Sequence, residues 1–232
     1  MRYYNLKRRF HVGVDLGKRK NYSAVAVVEE CVWATGEQDR VSYAPVVKKL
    51  AMLHYIQRLG KGLEYLQVVE KVQKLLLGPQ LRDEEVVLAL DATGVGEPVF
   101  EMVQKMYWDV QAQRGKWLNL AAVVFTNGQE TTWKNYHAFV PKNTLLEGLQ
   151  LDLELGKLRF PEGLAGLGEL QGELRNMNRE MGVKQQRWVS MGKHDDLVMA
   201  LALAGWGRTF RRLGMGWADM TRGLLHWPGE LG

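Results

Sequence analysis

The run Val86-Val-Leu-Ala-Leu90 constrains this chain more than any other segment. Five apolar residues without alternation describe a strand buried on both faces, the habit of a central strand with helices above and below its sheet. The run stops at an acid, Asp91. A glycine-bearing turn, Thr93-Gly-Val-Gly96, follows, and Pro98 suits the first turn of a helix predicted over residues 98–108. Residues 118–125 form a second apolar run and are predicted as another buried strand.

Upstream, residues 10–15 and 23–28 read as two strands. The connection between them is too short for a crossover helix, so the pair is an antiparallel hairpin. Residues 43–58 are read as a third strand, although their apolar positions fit neither period. Residues 63–77 carry an apolar helical face that Gly78-Pro79 ends. Downstream come a polar loop at 126–133 and a helix at 143–155 with Asn143 as its N-cap. A short edge strand at 157–160, a glycine-interrupted helix at 164–176 and a hairpin arm at 184–190 follow. A strongly apolar helix then opens at His194-Asp195-Asp196 and runs to about residue 212. The expected class is α/β, with three antiparallel strands, then two parallel ones, and helices on both faces. Residues 1–212 are read as one domain and residues 213–232 as a loosely docked or irregular tail.

Composition narrows the function classes. With 46% hydrophobic and 25% charged residues, the chain is neither disordered nor fibrous. A single cysteine, Cys31, excludes a disulfide scaffold and fits a reducing compartment. No apolar run has the length of a membrane span, and the basic N-terminus lacks a signal peptide's apolar core. A soluble, cytoplasmic protein without a membrane partner is expected. The net charge of +5 is gathered partly at Lys7, Arg8 and Arg9, at Lys18, Arg19 and Lys20, and at Arg208, Arg211 and Arg212. Such clusters permit a nucleic-acid partner without establishing one. The five histidines show no zinc-ligand spacing. No Gly-x-Ser-x-Gly occurs, and no phosphate-cradling Gly-x-x-x-x-Gly-Lys-Ser/Thr.

What remains is a set of carboxylates at the ends of core elements. Asp15 ends the first strand, Asp91 ends the central strand, and Asp195 and Asp196 begin the last helix. Each alone has a plain structural use: Asp15 and Asp91 as turn residues, Asp195 as an N-cap, Asp196 as a dipole partner. Together they are candidates for holding magnesium or manganese, which take hard oxygen ligands. Two such ions about 3.5–4 Å apart can activate water and stabilise the leaving oxygen of a phosphodiester.

These residues also carry a family resemblance. Gly13-Val-Asp15-Leu-Gly17, Asp91-Ala-Thr-Gly-Val-Gly-Glu-Pro98, Val140-Pro-Lys142 and the helix from His194-Asp-Asp196 resemble, in order, the motifs of the nuclease domain of phage terminase large subunits. That domain belongs to the RNase H-like, resolvase-like group. The resemblance implies an RNase H-like fold and a metal-dependent endonuclease that cuts concatemeric viral DNA during genome packaging in the host cytoplasm. It implies two Mg²⁺ or Mn²⁺ ions on Asp15, Asp91, Asp195 and Asp196. Thr93 and Gly94 would shape the turn beside them, and Lys142 and His194 would face phosphate or water. The implied partners are double-stranded DNA, a packaging ATPase domain, a portal and a small terminase subunit. The motor itself is not in this stretch, which is read as an excised domain or a separately encoded nuclease. Lys18, Arg19, Lys20, Trp133 and Lys134 are further candidates for touching DNA.

Three other readings stay open: a Holliday-junction-resolvase-like nuclease, an actin-like ATPase or sugar-kinase-type phosphotransferase, and a non-catalytic DNA-binding assembly protein.

Overall fold

The structure, a computed structural model, describes residues 4–17, 21–43, 45–134, 137–181, 186–192 and 194–209. Lys18, Arg19, Lys20, Arg211, Arg212 and the tail at 213–232 lie outside the described residues. Three long strands open the chain: β1 (Tyr4–Asp15), β2 (Ala24–Gln38) and β3 (Pro45–Arg58). Helix α1 (Tyr65–Leu76), β4 (Val86–Asp91), α2 (Glu97–Gln111) and β5 (Leu118–Thr126) follow. Next come β6 (Thr132–Lys134), β7 (His137–Pro141), α3 (Lys142–Glu154), β8 (Leu158–Arg159) and α4 (Leu167–Arg175). A ribbon of β9 (Met177–Met181) and β10 (Gln186–Ser190) leads into α5 (Asp196–Gly207).

Eight strands form one sheet in the order β6-β7-β5-β4-β1-β2-β3-β8. β1, β2 and β3 pair antiparallel, while β4 and β5 run parallel to β1. This mixed order is the RNase H-like arrangement expected from the sequence. The sheet is wider than expected, because β7 adds a third parallel strand and β6 an antiparallel edge, while β8, at the opposite edge, is the short edge strand read at 157–160. Residues 132 and 133, the end of the stretch read as loop, are therefore strand.

Strand alternation assigns the two faces. Phe10, Val12 and Val14 of β1 join Val86, Leu88 and Leu90 of β4 under α1 and α2. The other face of both strands meets α5, with α3 and α4 beside it. α5 is buried on nearly all sides, which explains its unbroken apolar sequence. It lies directly on β1. A Cβ added at Gly13 would stand 1.9 Å from the Ala200 carbonyl oxygen and 2.5 Å from the Ala204 nitrogen. One strand step back, Gly207 sits over His11, whose Nδ1 is 3.6 Å from the place of its missing Cβ. α5 thus runs antiparallel to β1, and its N-terminus arrives over the residue one step beyond Gly13 on the same face, which is Asp15.

The third strand explains an ambiguity in the sequence. β3 buries Ala51, Leu53 and Ile56, and its pairing with β2 slips between Tyr55 and Leu53, leaving His54 as the extra residue of a bulge. Alternation resets there, so neither period fits the apolar positions.

Candidate functional site

Two acids meet at the carboxyl ends of neighbouring parallel strands. Gly13 pairs with Ala89 and Val14 with Leu90; the next residues in that register are Asp15 and Asp91. Their carboxyls share a hydrogen bond, with Asp15 donating. Loss of hydration, then the charges of Asp91, Asp196 and Asp195, push the Asp15 carboxyl well above the usual range. Asp91, 8% exposed, is also raised by burial. Hydrogen bonds from Thr93 and from Asp15, and the charge of Lys142, oppose that rise. The Thr93 backbone N–H donates to Asp91 Oδ1 at 2.7 Å, and Thr93 Oγ1 accepts the Phe125 N–H at 2.8 Å. The turn after β4 is thereby tied to β5. Gly94 turns it with φ of 67°, a conformation that side chains resist.

The α5 end supplies the second pair. Asp195 occupies the N-cap position but makes no capping hydrogen bond. The cap comes from another helix: Glu173 of α4, 5% exposed, accepts the N–H groups of Leu197 at 2.9 Å and Val198 at 3.1 Å. The N-cap use of Asp195 allowed by the sequence is therefore not the one taken. Asp195 Oδ2 instead faces Lys142 Nζ at 3.1 Å. A lysine opening α3 is unfavourable for that helix's dipole, so Lys142 is better explained by Asp195 than by α3. Asp196 is 8% exposed; its Oδ2 lies 3.5 Å from both Arg58 Nε and His194 Nδ1 and has no hydrogen bond. Burial, then Glu173, push its carboxyl up to about 6, with His194 and Arg58 pulling it down and Asp195 adding to the rise. The His194 ring stands edge-on to Tyr22 at 5.1 Å.

Asp15, Asp91, Asp195 and Asp196 therefore share one field. They are not pinched together: among the described residues, no three His, Cys, Asp or Glu side chains stand as a metal cluster. Lys142 holds one α5 acid, and Arg58 and His194 hold the other. The donor set still fits hard divalent cations. It offers carboxylates only, one with a buried oxygen that makes no hydrogen bond, in a concentration of negative charge that two acids relieve by sharing a proton.

Other candidates go elsewhere. Trp133 stacks on Trp206 at 6.1 Å and packs against the α5-side core. Lys134 is exposed on β6, with two strands between it and β4. Arg8 pairs with Glu29 and Glu84, Arg9 with Glu85, and Arg208 with Glu30 and Asp152. These members of the basic clusters are structural ion pairs rather than a free phosphate-binding face. Asn143 lies inside α3, its Oδ1 accepting the Trp188 N–H at 3.3 Å, so Pro141 and not Asn143 is the cap residue. Sequence reasoning missed Glu173 and Arg58. Neither sits in a motif, and only the packing of α4 and β3 against α5 brings them in.

No protein-family model matches this sequence, and no curated protein does. Among solved structures, the human cytomegalovirus terminase nuclease domain, soaked with manganese, superimposes with a TM-score of 0.48 at 11% identity, over 85% of this chain and 81% of that one. NurA bound to dAMP and manganese overlaps with a TM-score of 0.18 at 10% identity, over 90% of this chain and 56% of that one. Likenesses this distant leave the reading of the site to its own residues. No helix among the described residues is long and apolar enough to cross a membrane.

Proposed function

We propose that this chain is a metal-dependent endonuclease acting on double-stranded DNA, with Asp15, Asp91, Asp195 and Asp196 as its catalytic acids. The observation that carries the proposal is that neither of the two aspartates at the start of α5 is used to cap that helix. Glu173 caps α5, so the two aspartates at its start are left to face Asp15 and Asp91. Four acids held together against their own repulsion need a compensating cation to ionise fully.

The chain's own part is positioning. Asp15 and Asp91 are fixed by strand register and by Thr93, and Asp195 is steadied by Lys142. Divalent ions held by the four acids would supply Lewis acidity and neutralise charge on a phosphodiester. Lys142 and His194 stand at the rim, where a phosphate oxygen would approach. The viral packaging role, with an ATPase, a portal and a small subunit as partners, rests on the order of the four sequence motifs.

Incubation of supercoiled plasmid with purified protein tests the reading, with Mn²⁺, with Mg²⁺ and with EDTA, beside Asp91→Asn. Nicking and linearisation that vanish in EDTA and in the variant are expected. Inactivity of the wild type in both metals, combined with ATP hydrolysis, would instead support the phosphotransferase reading.

A further inference from the structure

Arg58 ends β3 and touches three carboxylates of two helices. Its Nη2 pairs with Glu173 Oε1, its Nη1 lies 3.2 Å from Glu169 Oε2, and its Nε lies 3.5 Å from Asp196 Oδ2. Its guanidinium rests over the Tyr22 ring at 5.2 Å, and its side chain is 19% exposed. The two ends of this bridge differ. The Glu173 arm is a closed hydrogen bond, whereas Arg58 Nε and Asp196 Oδ2 are both buried without one. An arginine fastened to the cap of α5 and only electrostatically engaged with Asp196 can release that acid without losing its own anchor.

We propose that Arg58 is a positioning residue and resident counter-cation: it neutralises Asp196 while no metal is bound and yields the Asp196 carboxylate when a divalent ion arrives. This inference rests on the metal-site reading above and assigns its regulation. It follows that Arg58 competes with the metal. Removing its charge while keeping its bulk leaves Asp196, Glu173 and Asp195 with one fewer cation, so the site attracts Mn²⁺ more strongly. A merely structural arginine would do the opposite, because its loss would loosen the start of α5 and weaken metal binding.

The test is calorimetric titration of Mn²⁺, without DNA, into the full chain as wild type, Arg58→Gln and Arg58→Lys. Arg58→Gln is expected to bind Mn²⁺ roughly three- to tenfold more tightly at low salt. Arg58→Lys keeps the charge and is expected to stay near wild type. Equal or weaker binding by folded Arg58→Gln overturns the proposal. Should Arg58→Gln fail to fold, NMR of the wild-type arginine Nε–H groups during Mg²⁺ titration decides. The Arg58 signal is expected to move in step with saturation, and a fixed signal overturns the proposal. A wild type that binds no Mn²⁺ at all overturns the metal-site reading itself, which distinguishes the two failures.

Discussion

Glu173 on α4 accepts the backbone N–H of Leu197 on α5 at 2.9 Å, doing for that helix what its own first residues do not. A buried carboxylate serving two helix amides and an arginine is costly to lose, because amides and guanidinium would all be left unpaired. Glu173→Ala is expected to cost roughly 2–4 kcal/mol. Asp195→Asn removes no cap and only a part-exposed ion pair, so it is expected to cost less than about 1 kcal/mol. Urea unfolding of the two variants measures both. A larger loss for Asp195→Asn would mean that the cap has been misassigned.

Gly13 is the contact that seats α5 on the sheet. A methyl group there meets main-chain atoms of Ala200 and Ala204, which cannot swing aside as side chains do. Gly13→Ala is therefore expected to destabilise by roughly 3 kcal/mol or more. Thermal unfolding within a degree of wild type would show that α5 does not lie this close.

The acids make stability depend on pH in a definite sense. Asp15 and Asp91 are raised, and Asp196 is raised to about 6. These three acids therefore hold more protons in the folded chain than in the unfolded chain above pH about 4. Their favourable contribution is complete below that pH and is lost as pH rises through the folded values. In metal-free buffer this contribution of the acids should fall between about pH 4 and pH 6–7, and Asp196→Asn should gain roughly 1–3 kcal/mol over wild type at pH 7.5. Mn²⁺ should raise the wild-type Tm at that pH and leave Asp196→Asn less affected. Tm curves that coincide for the two proteins across this range would contradict the charge cluster.

Much of this was legible in the chain because it depends on strict local patterns. The apolar run before Asp91 and the alternation that puts His11, Gly13 and Asp15 on one face are matters of period two. The acids at element ends needed only those patterns to be noticed. The rest depends on packing between distant segments. Glu173 looks like any solvent-facing glutamate of a weak helix until α4 is laid beside the start of α5. Arg58 looks like the end of an irregular strand, because the bulge at His54 hides the alternation of β3. The basic triplet at residues 7–9 shows the reverse: sequence displays the cations, but only the fold supplies Glu29, Glu84 and Glu85 as partners for Arg8 and Arg9.

Position relative to the four acids implies a contrast in DNA binding. Arg9 lies six residues, about 20 Å, back along β1 from Asp15. Arg8→Gln with Arg9→Gln is expected to leave the affinity for a duplex, and its slope against salt, unchanged. Lys142→Gln is expected to reduce both the affinity and the slope by about one ion's worth. Fluorescence anisotropy in Ca²⁺, over a range of salt, compares them. A reduced slope for the double variant would move the DNA track to the other end of the sheet.

The most direct measurement is the Mn²⁺-dependent cleavage rate of one duplex by Asp15→Asn, Asp91→Asn, Asp195→Asn, Asp196→Asn and the double variant Asp15→Asn/Asp91→Asn. Residues that act as one unit lose activity without adding their losses. Asp15→Asn and Asp91→Asn are each expected to slow cleavage by roughly a hundredfold or more, and the double variant is expected to be little slower than either single one. Cleavage by Asp15→Asn or Asp91→Asn at the wild-type rate would contradict a catalytic centre built where β1 and β4 end side by side.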